Sequence, residues 1–244
     1  MKKICLTIQY NGKNFCGWQK QKNKRTVQNV LEDKISVLLK EDITLFASGR
    51  TDSGVHAICQ TAHFETNSDF DLNKLPFAIN DGLESDVSVL KAKEVSKNFH
   101  ARYSAKKKTY LYKTYLSKIK KPLKNGFITQ ISYDLNINKM KEGAKFFLGE
   151  HNFSAFCSSN SSVKNFVRTI YDLKIKKVSD EIHFKITGNG FLYNMVRIIV
   201  GTLIDVGTEK ISPNEVLKII ESKNRKKAGK TMPAYGLYLY KILY

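Results

Sequence analysis

The chain reads as an α+β protein of two domains, each an antiparallel-rich sheet with helices on one face. Three observations lead there. Short segments with alternating apolar residues, such as Ile4, Leu6, Ile8 and Tyr10, recur along the chain and read as half-buried strands. Between them stand a few segments of helical periodicity, of which Val27, Val30, Leu31, Ile35, Leu38 and Leu39 form the clearest apolar stripe. A chain of 244 residues with 42% hydrophobic content is long enough for two cores of ordinary size.

In order, the opening strand ends at the turn pair Asn11-Gly12, and Thr26 is placed to cap the first helix. Ile43 to Ala47 and Ala57 to Phe64 predict two strands flanking a polar connection. A short helix begins at Asp71 to Leu75, and Val87 to Leu90 returns as strand. The second half repeats this rhythm from about residue 105, so the expected domains are 1–104 and 105–244, joined without a flexible linker around a central cleft. Lys107 to Tyr115 alternates aromatic and polar residues as a strand does, Asn138 is placed to cap a helix that Gly149 ends, and the serine-rich Cys157 to Ser162 reads as a mobile loop. Val167 to Lys177 and Glu181 to Thr187 predict a hairpin about Ser179-Asp180. A long apolar helix is expected over Leu192 to Val206, a capping box at Ser212-Pro213-Asn214-Glu215 opens another, and Leu237 to Ile242 closes the chain as strand.

Charge narrows the function. Forty-one Lys and Arg against 22 Asp and Glu give a formal net charge of +19, which calls for a polyanionic partner. Residues 1–104 carry +3 of it and residues 105–244 carry +16, so the second half is expected to hold most of the electrostatic footprint, with Lys106-Lys107-Lys108 and Lys223 to Lys230 as its densest runs. Each run also reads as plain solvated surface. The four cysteines are scattered without metal-ligand spacing, and no apolar run approaches the roughly 18 residues that cross a bilayer. The expectation is a protein of the reducing cytosol with no export signal, membrane anchor or structural zinc.

The chemistry concentrates in Ser48-Gly49-Arg50-Thr51-Asp52-Ser53-Gly54-Val55-His56-Ala57. One aspartate lies between two glycines that open backbone conformations closed to other residues and admit close approach of a substrate. From the residues alone two readings stand: a hairpin turn whose aspartate accepts backbone hydrogen bonds, or a carboxylate presented for reaction. No second carboxylate lies nearby and no acidic cluster suggests a two-metal nuclease, while a paired-carboxylate glycosidase is weakened rather than excluded. A single carboxylate in a basic cleft suits chemistry at a glycosidic carbon. To stay ionised there it needs a cationic partner such as Arg50 or a more distant arginine.

The motif around Asp52 resembles the signature of the tRNA pseudouridine synthase A family. Four further segments resemble that family's motifs in the expected order: Tyr10 to Gln19, Phe99 to Ala105, Gly190 to Arg197, and Pro233 to Leu239. The resemblance implies a cofactor-free isomerase that turns uridine into pseudouridine at the foot of the anticodon stem of tRNA, working as a homodimer. It implies that Asp52 is catalytic, that Tyr110 stacks on the target uracil, that Arg197 pairs with the carboxylate and that Leu237 lines the uracil pocket. Arg50, His100 and Arg102 are expected to hold phosphates or the flipped nucleotide. His56 reads as structural and Trp18 as packing. Two departures from the pattern, Ser53 and Tyr103, leave the chemistry intact. An RNA-binding module that keeps only the fold, and a hydrolase that releases free uracil, are the competing readings.

Overall fold

A computed structural model describes residues 1–159 and 163–244. The elements in chain order are β1 (Lys2–Tyr10), α1 (Val27–Leu39), β2 (Phe46–Ala47), β3 (His56–Thr66), α2 (Leu75–Asn80), β4 (Val87–Val95), β5 (Lys107–Leu116), β6 (Thr129–Ile131), α3 (Ile137–Lys145), β7 (Gly149–Asn152), β8 (Val167–Val178), β9 (Glu181–Gly188), α4 (Met195–Gly207), α5 (Glu215–Ser222) and β10 (Leu237–Leu243). They form two compact units, Met1–Lys106 with Tyr238–Tyr244, and Lys107–Leu237. The last strand thus joins the first unit, where Tyr238 and Leu239 pair in parallel with His56 and Ala57 of β3. A chain division at residue 104 places that strand with the other half, because sequence order carries no trace of a parallel pairing between distant segments.

In the first unit the strands run in the order β4, β1, β3, β10, with β2 on β3. β1 pairs antiparallel with both β3 and β4, and a register shift between Ile8 and Tyr10 bends its end. Ile4, Leu6 and Ile8 are buried, as are Val27, Leu31 and Ile35 of α1, so the alternation of the strand and the stripe of the helix both end in a core. Thr26 caps α1 through its Oγ1, which accepts from the Asn29 amide. The strand expected from Ile43 shortens to two residues because side chains of α1 take its amides: Ile43 donates to Ser36 Oγ and Leu45 to Glu32 Oε1.

The second unit orders its strands β5, β9, β8, β7, all antiparallel, with β6 parallel on β5. The expected hairpin forms between β8 and β9, with Ser179 at φ 55 in its turn. Nearly every residue of α4 is buried, which makes it the core helix of this unit. Three positions differ from the sequence reading. Asn136, not Asn138, caps α3, its Oδ1 accepting from Lys139 N–H at 3.1 Å, and Gly149 at φ +93 opens β7 after the helix has ended at Lys145. α4 starts at Met195 rather than Leu192 because Asn194 takes a left-handed conformation just before it. Glu215 reaches back to the Ser212 amide at 2.6 Å, the arrangement a capping box makes. The loop expected over Cys157 to Ser162 lies outside the described residues from Asn160 to Ser162.

Candidate active site

The Asp52 loop is held from three sides within the first unit. From β3, Gln60 donates to Gly49 O at 2.9 Å and accepts from Ser48 Oγ at 2.7 Å. From β1, the Tyr10 hydroxyl lies 2.7 Å from Thr51 Oγ1. Trp18 donates its amide to Thr51 O at 3.0 Å. Gly17, at φ +91, lets the chain approach so closely that a Cβ there would stand 2.7 Å from Thr51 O, and one at Gly12 would stand 2.1 Å from Val55 O. Thr51 before Asp52 is therefore anchored and buried, the exposed Ser53 after it donates its hydroxyl to Phe15 O at 3.2 Å, and Asp52 itself is half-buried with its carbonyl accepting from Val55 N in a tight turn.

His56 serves the scaffold. It is buried, its Nδ1 accepts from the Gly12 amide at 3.0 Å and its ring stacks on Tyr238 at 4.7 Å. Trp18 is buried against Tyr10.

Beside the loop, a groove of about 340 Å³ is lined by Arg50, His100 and Arg102, with Phe46 and Tyr103. The three residues expected to contact the nucleotide or its phosphates thus meet on one surface. His100 Nδ1 accepts from the amide of Arg102 at 3.1 Å, which leaves the proton on Nε2 and the ring neutral. Burial, Lys3 and Arg102 together hold its pKa below the ordinary histidine value. Behind it, His63 Nδ1 accepts from the Ala101 amide at 3.2 Å, and burial with the neighbouring His100 and Lys3 pushes its pKa down to about 4. Phe46 and His63 were not singled out by sequence; both sit in strand alternation, where an aromatic or a histidine carries no signal beyond packing.

In the second unit, Tyr110 lies on β5 opposite Ile186, half-buried, with the Phe191 ring edge-on at 5.1 Å. Two residues on, the buried Tyr112 hydroxyl donates to Pro233 O at 2.8 Å and meets Thr129 Oγ1 at 2.7 Å. Burial holds its phenol above the usual range, against the pull of Thr129 and of the nearby Arg197 charge. Arg197, in the first turn of α4, donates its Nε–H to Met232 O at 2.5 Å and an Nη1–H to Asn194 Oδ1 at 2.6 Å. These neutral acceptors set its direction. Leu237 is buried at the start of β10, just after Gly236, whose lack of a side chain leaves room for the Tyr112 ring. Tyr110, Arg197 and Leu237 are thus tied together through Tyr112 and the segment from Met232 to Gly236.

The family model described as tRNA pseudouridine synthase matches residues 6–104 and 144–244. The chain belongs to the tRNA pseudouridine synthase family. Among curated relatives, a tRNA pseudouridine synthase A of Thermoanaerobacter sp. is 49% identical and one of Caldicellulosiruptor saccharolyticus 48% identical, each over 244 residues that cover the whole of both chains. One of Bacillus licheniformis is 45% identical over 240 residues, 98% of this chain and 97% of its own. A solved archaeal box H/ACA Nop10–Cbf5 complex matches 91% of this chain and 59% of its own at 11% identity and a TM-score of 0.40, too distant to carry a functional argument. This pseudouridine synthase is an isomerase acting on RNA, its fold is the mixed α+β architecture expected from sequence, and no helix among its described residues is long and apolar enough to cross a membrane.

Proposed function

We propose that this synthase converts uridine to pseudouridine at the foot of the anticodon stem of tRNA, with Asp52 as the catalytic carboxylate. The observation that carries the proposal is the anchoring of the Asp52 loop. Hydrogen bonds from Tyr10, Gln60 and Trp18, with the close approach at Gly17, fix the residues before a half-buried carboxylate, and Ser53 after it donates its hydroxyl to Phe15 O at 3.2 Å. Rigid support of this kind is what a group acting at a defined distance from a reacting atom needs.

In the reaction the bond from uracil N1 to the ribose C1′ breaks, the base turns, and C5 bonds to C1′. C5 then loses its proton and N1 gains one, so no redox step or co-reactant enters. Asp52 serves at the stage where C1′ or the base is electron-poor. Tyr110 offers its ring to the loosened uracil and Leu237 an apolar wall. Arg197, oriented by Met232 O and Asn194, balances the carboxylate, and Arg50, His100 and Arg102 meet the RNA beside the target nucleotide, the arginines at its phosphates. The excess charge of the second half supports recognition of tRNA by its backbone and shape. Action as a homodimer in the cytoplasm belongs to the same reading.

The test uses a tRNA transcript tritiated at uridine C5. Wild-type protein is expected to release tritium to water with no free uracil, and Asp52→Asn to bind the transcript yet release none. Free uracil as product would make the protein a hydrolase, and release by Asp52→Asn at the wild-type rate would remove the carboxylate from the chemistry. Mapping the product nucleotide by nucleotide then checks the anticodon stem.

A further inference from the structure

The groove beside the Asp52 loop contains more aromatic surface than phosphate binding requires. Tyr103 is 76% exposed and Phe46 47% exposed, although both are large apolar rings on a highly charged protein. They are the outer members of one cluster. The Tyr103 ring lies 4.4 Å from that of His100, His100 lies 4.8 Å from His63, and Phe46 stacks on His63 at 5.3 Å. Arg102 stands over the Tyr103 ring at 5.7 Å, and Arg50 lines the same groove.

We propose that this groove is a second base-binding site, which takes an unpaired nucleobase of the RNA other than the target uridine, stacked on Tyr103, His100 and Phe46 with Arg50 and Arg102 at its phosphates. The proposal rests on the functional reading above, which gives the target uracil to Tyr110.

Several features select a base over other occupants. The groove volume of about 340 Å³ falls at the small end of ligand pockets, which suits one planar ring system. His100 uses Nδ1 as an acceptor for the Arg102 amide, so it presents a flat neutral ring, with the buried His63 packed behind it. A neutral π-face flanked by guanidinium groups matches a base flanked by phosphates. The amides at the back of the groove are already committed: Gln19 donates to Gln28 Oε1 at 2.8 Å and Gln28 donates to Glu32 Oε1 at 2.8 Å.

The test measures binding at equilibrium, without turnover. A labelled cytidine decamer, which holds no uridine to isomerise, is compared with an abasic ribose-phosphate decamer of equal charge by fluorescence anisotropy with the full chain. The decamer with bases is expected to bind about tenfold tighter, within the range for stacking of a base on an aromatic side chain. Tyr103→Ala should remove most of that preference while Tyr103→Phe keeps it, because the ring and not the hydroxyl does the stacking. Tyr110→Ala should leave most of it. Equal binding of the two decamers by the wild type, an unchanged preference in Tyr103→Ala, or its loss in Tyr110→Ala alone would each overturn the proposal. If Asp52→Asn still releases tritium, the functional reading falls while the decamer comparison stands or fails by itself.

Discussion

Removing the Tyr10 hydroxyl tests whether the Asp52 loop is held in place or merely passes nearby. In Tyr10→Phe the ring keeps its place between Phe15 and Trp18, and the hydroxyl's 2.7 Å contact to Thr51 Oγ1 is lost together with its hydrogen bond to Gln60. Both the Tyr10 and Thr51 side chains are buried, and desolvation raises the Tyr10 phenol pKa. A neutral hydrogen bond adds only about 1 kcal/mol net, but a buried partner left unpaired costs about 1–3 kcal/mol. Tyr10→Phe should therefore cost about 2 kcal/mol, which lowers Tm by roughly 4–8 °C in a chain of this size. Thr51→Val leaves the Tyr10 hydroxyl with Gln60 alone and should cost no more than that. The double variant removes both ends of the Tyr10–Thr51 contact, so its cost should fall short of the sum of the singles by about 1 kcal/mol or more. Trp18, the only tryptophan, packs on Tyr10, so its fluorescence follows melting of the first unit specifically. Since Thr51 adjoins Asp52, each single variant should also lower kcat for tritium release more than it changes KM. Additive costs within about 0.5 kcal/mol, or single variants that melt with the wild type, would refute this account of the loop.

Gly17→Ala places a Cβ 2.7 Å from Thr51 O at a residue with φ +91, so clash and backbone strain act together. A loss of about 2–4 kcal/mol is expected on melting, with kcat falling further than in Gly82→Ala, an exposed control at φ +76 where a Cβ would meet only Lys34 Nζ at 3.7 Å. His63 carries a pH dependence of defined sign. Its folded pKa of about 4 lies below the unfolded value of about 6.5, so below pH 6.5 the unfolded chain takes up a proton that the folded chain refuses. Its contribution is complete above pH 6.5 and is lost as pH falls toward 4, by up to about 3 kcal/mol. Denaturant titrations at pH 7 and pH 4.5 should show this loss in the wild type and a smaller one in His63→Gln; equal slopes would refute it.

Local signals were sufficient wherever the physics is local. The cap at Thr26, the stripe of α1 and the β8–β9 hairpin are each set by residues within a few positions of one another, and all were legible. Where two local options were equivalent the reading slipped by a turn or less. Asn136 and Asn138 are both good caps, and only the extended backbone at Asn136 separates them. The strand from Ile43 is short for a different reason: its amides were captured by Ser36 and Glu32, and periodicity does not register competition from a neighbouring helix. In the site, the glycines and the carboxylate of the Asp52 loop stood out because few structures need them together. Gln60, Phe46 and His63 did not, because each is unremarkable in a strand until its partner is known.

The amino-acid sequence by itself determined the α+β class, the order of the longer elements, the loop that carries Asp52 and the basic character that calls for RNA, but not the short strands β6 and β7. Periodicity, capping and net charge are sums over near neighbours, and they survive without knowledge of the chain path. The tertiary structure alone decided what holds that loop and what lies beside it. Tyr10 meets Thr51 across 41 residues, Arg197 meets Met232 across 35, and β10 returns to pair with β3. Such contacts depend on strand register and on the return path of the chain, and a shift of one residue in either would turn the same side chains to the opposite face.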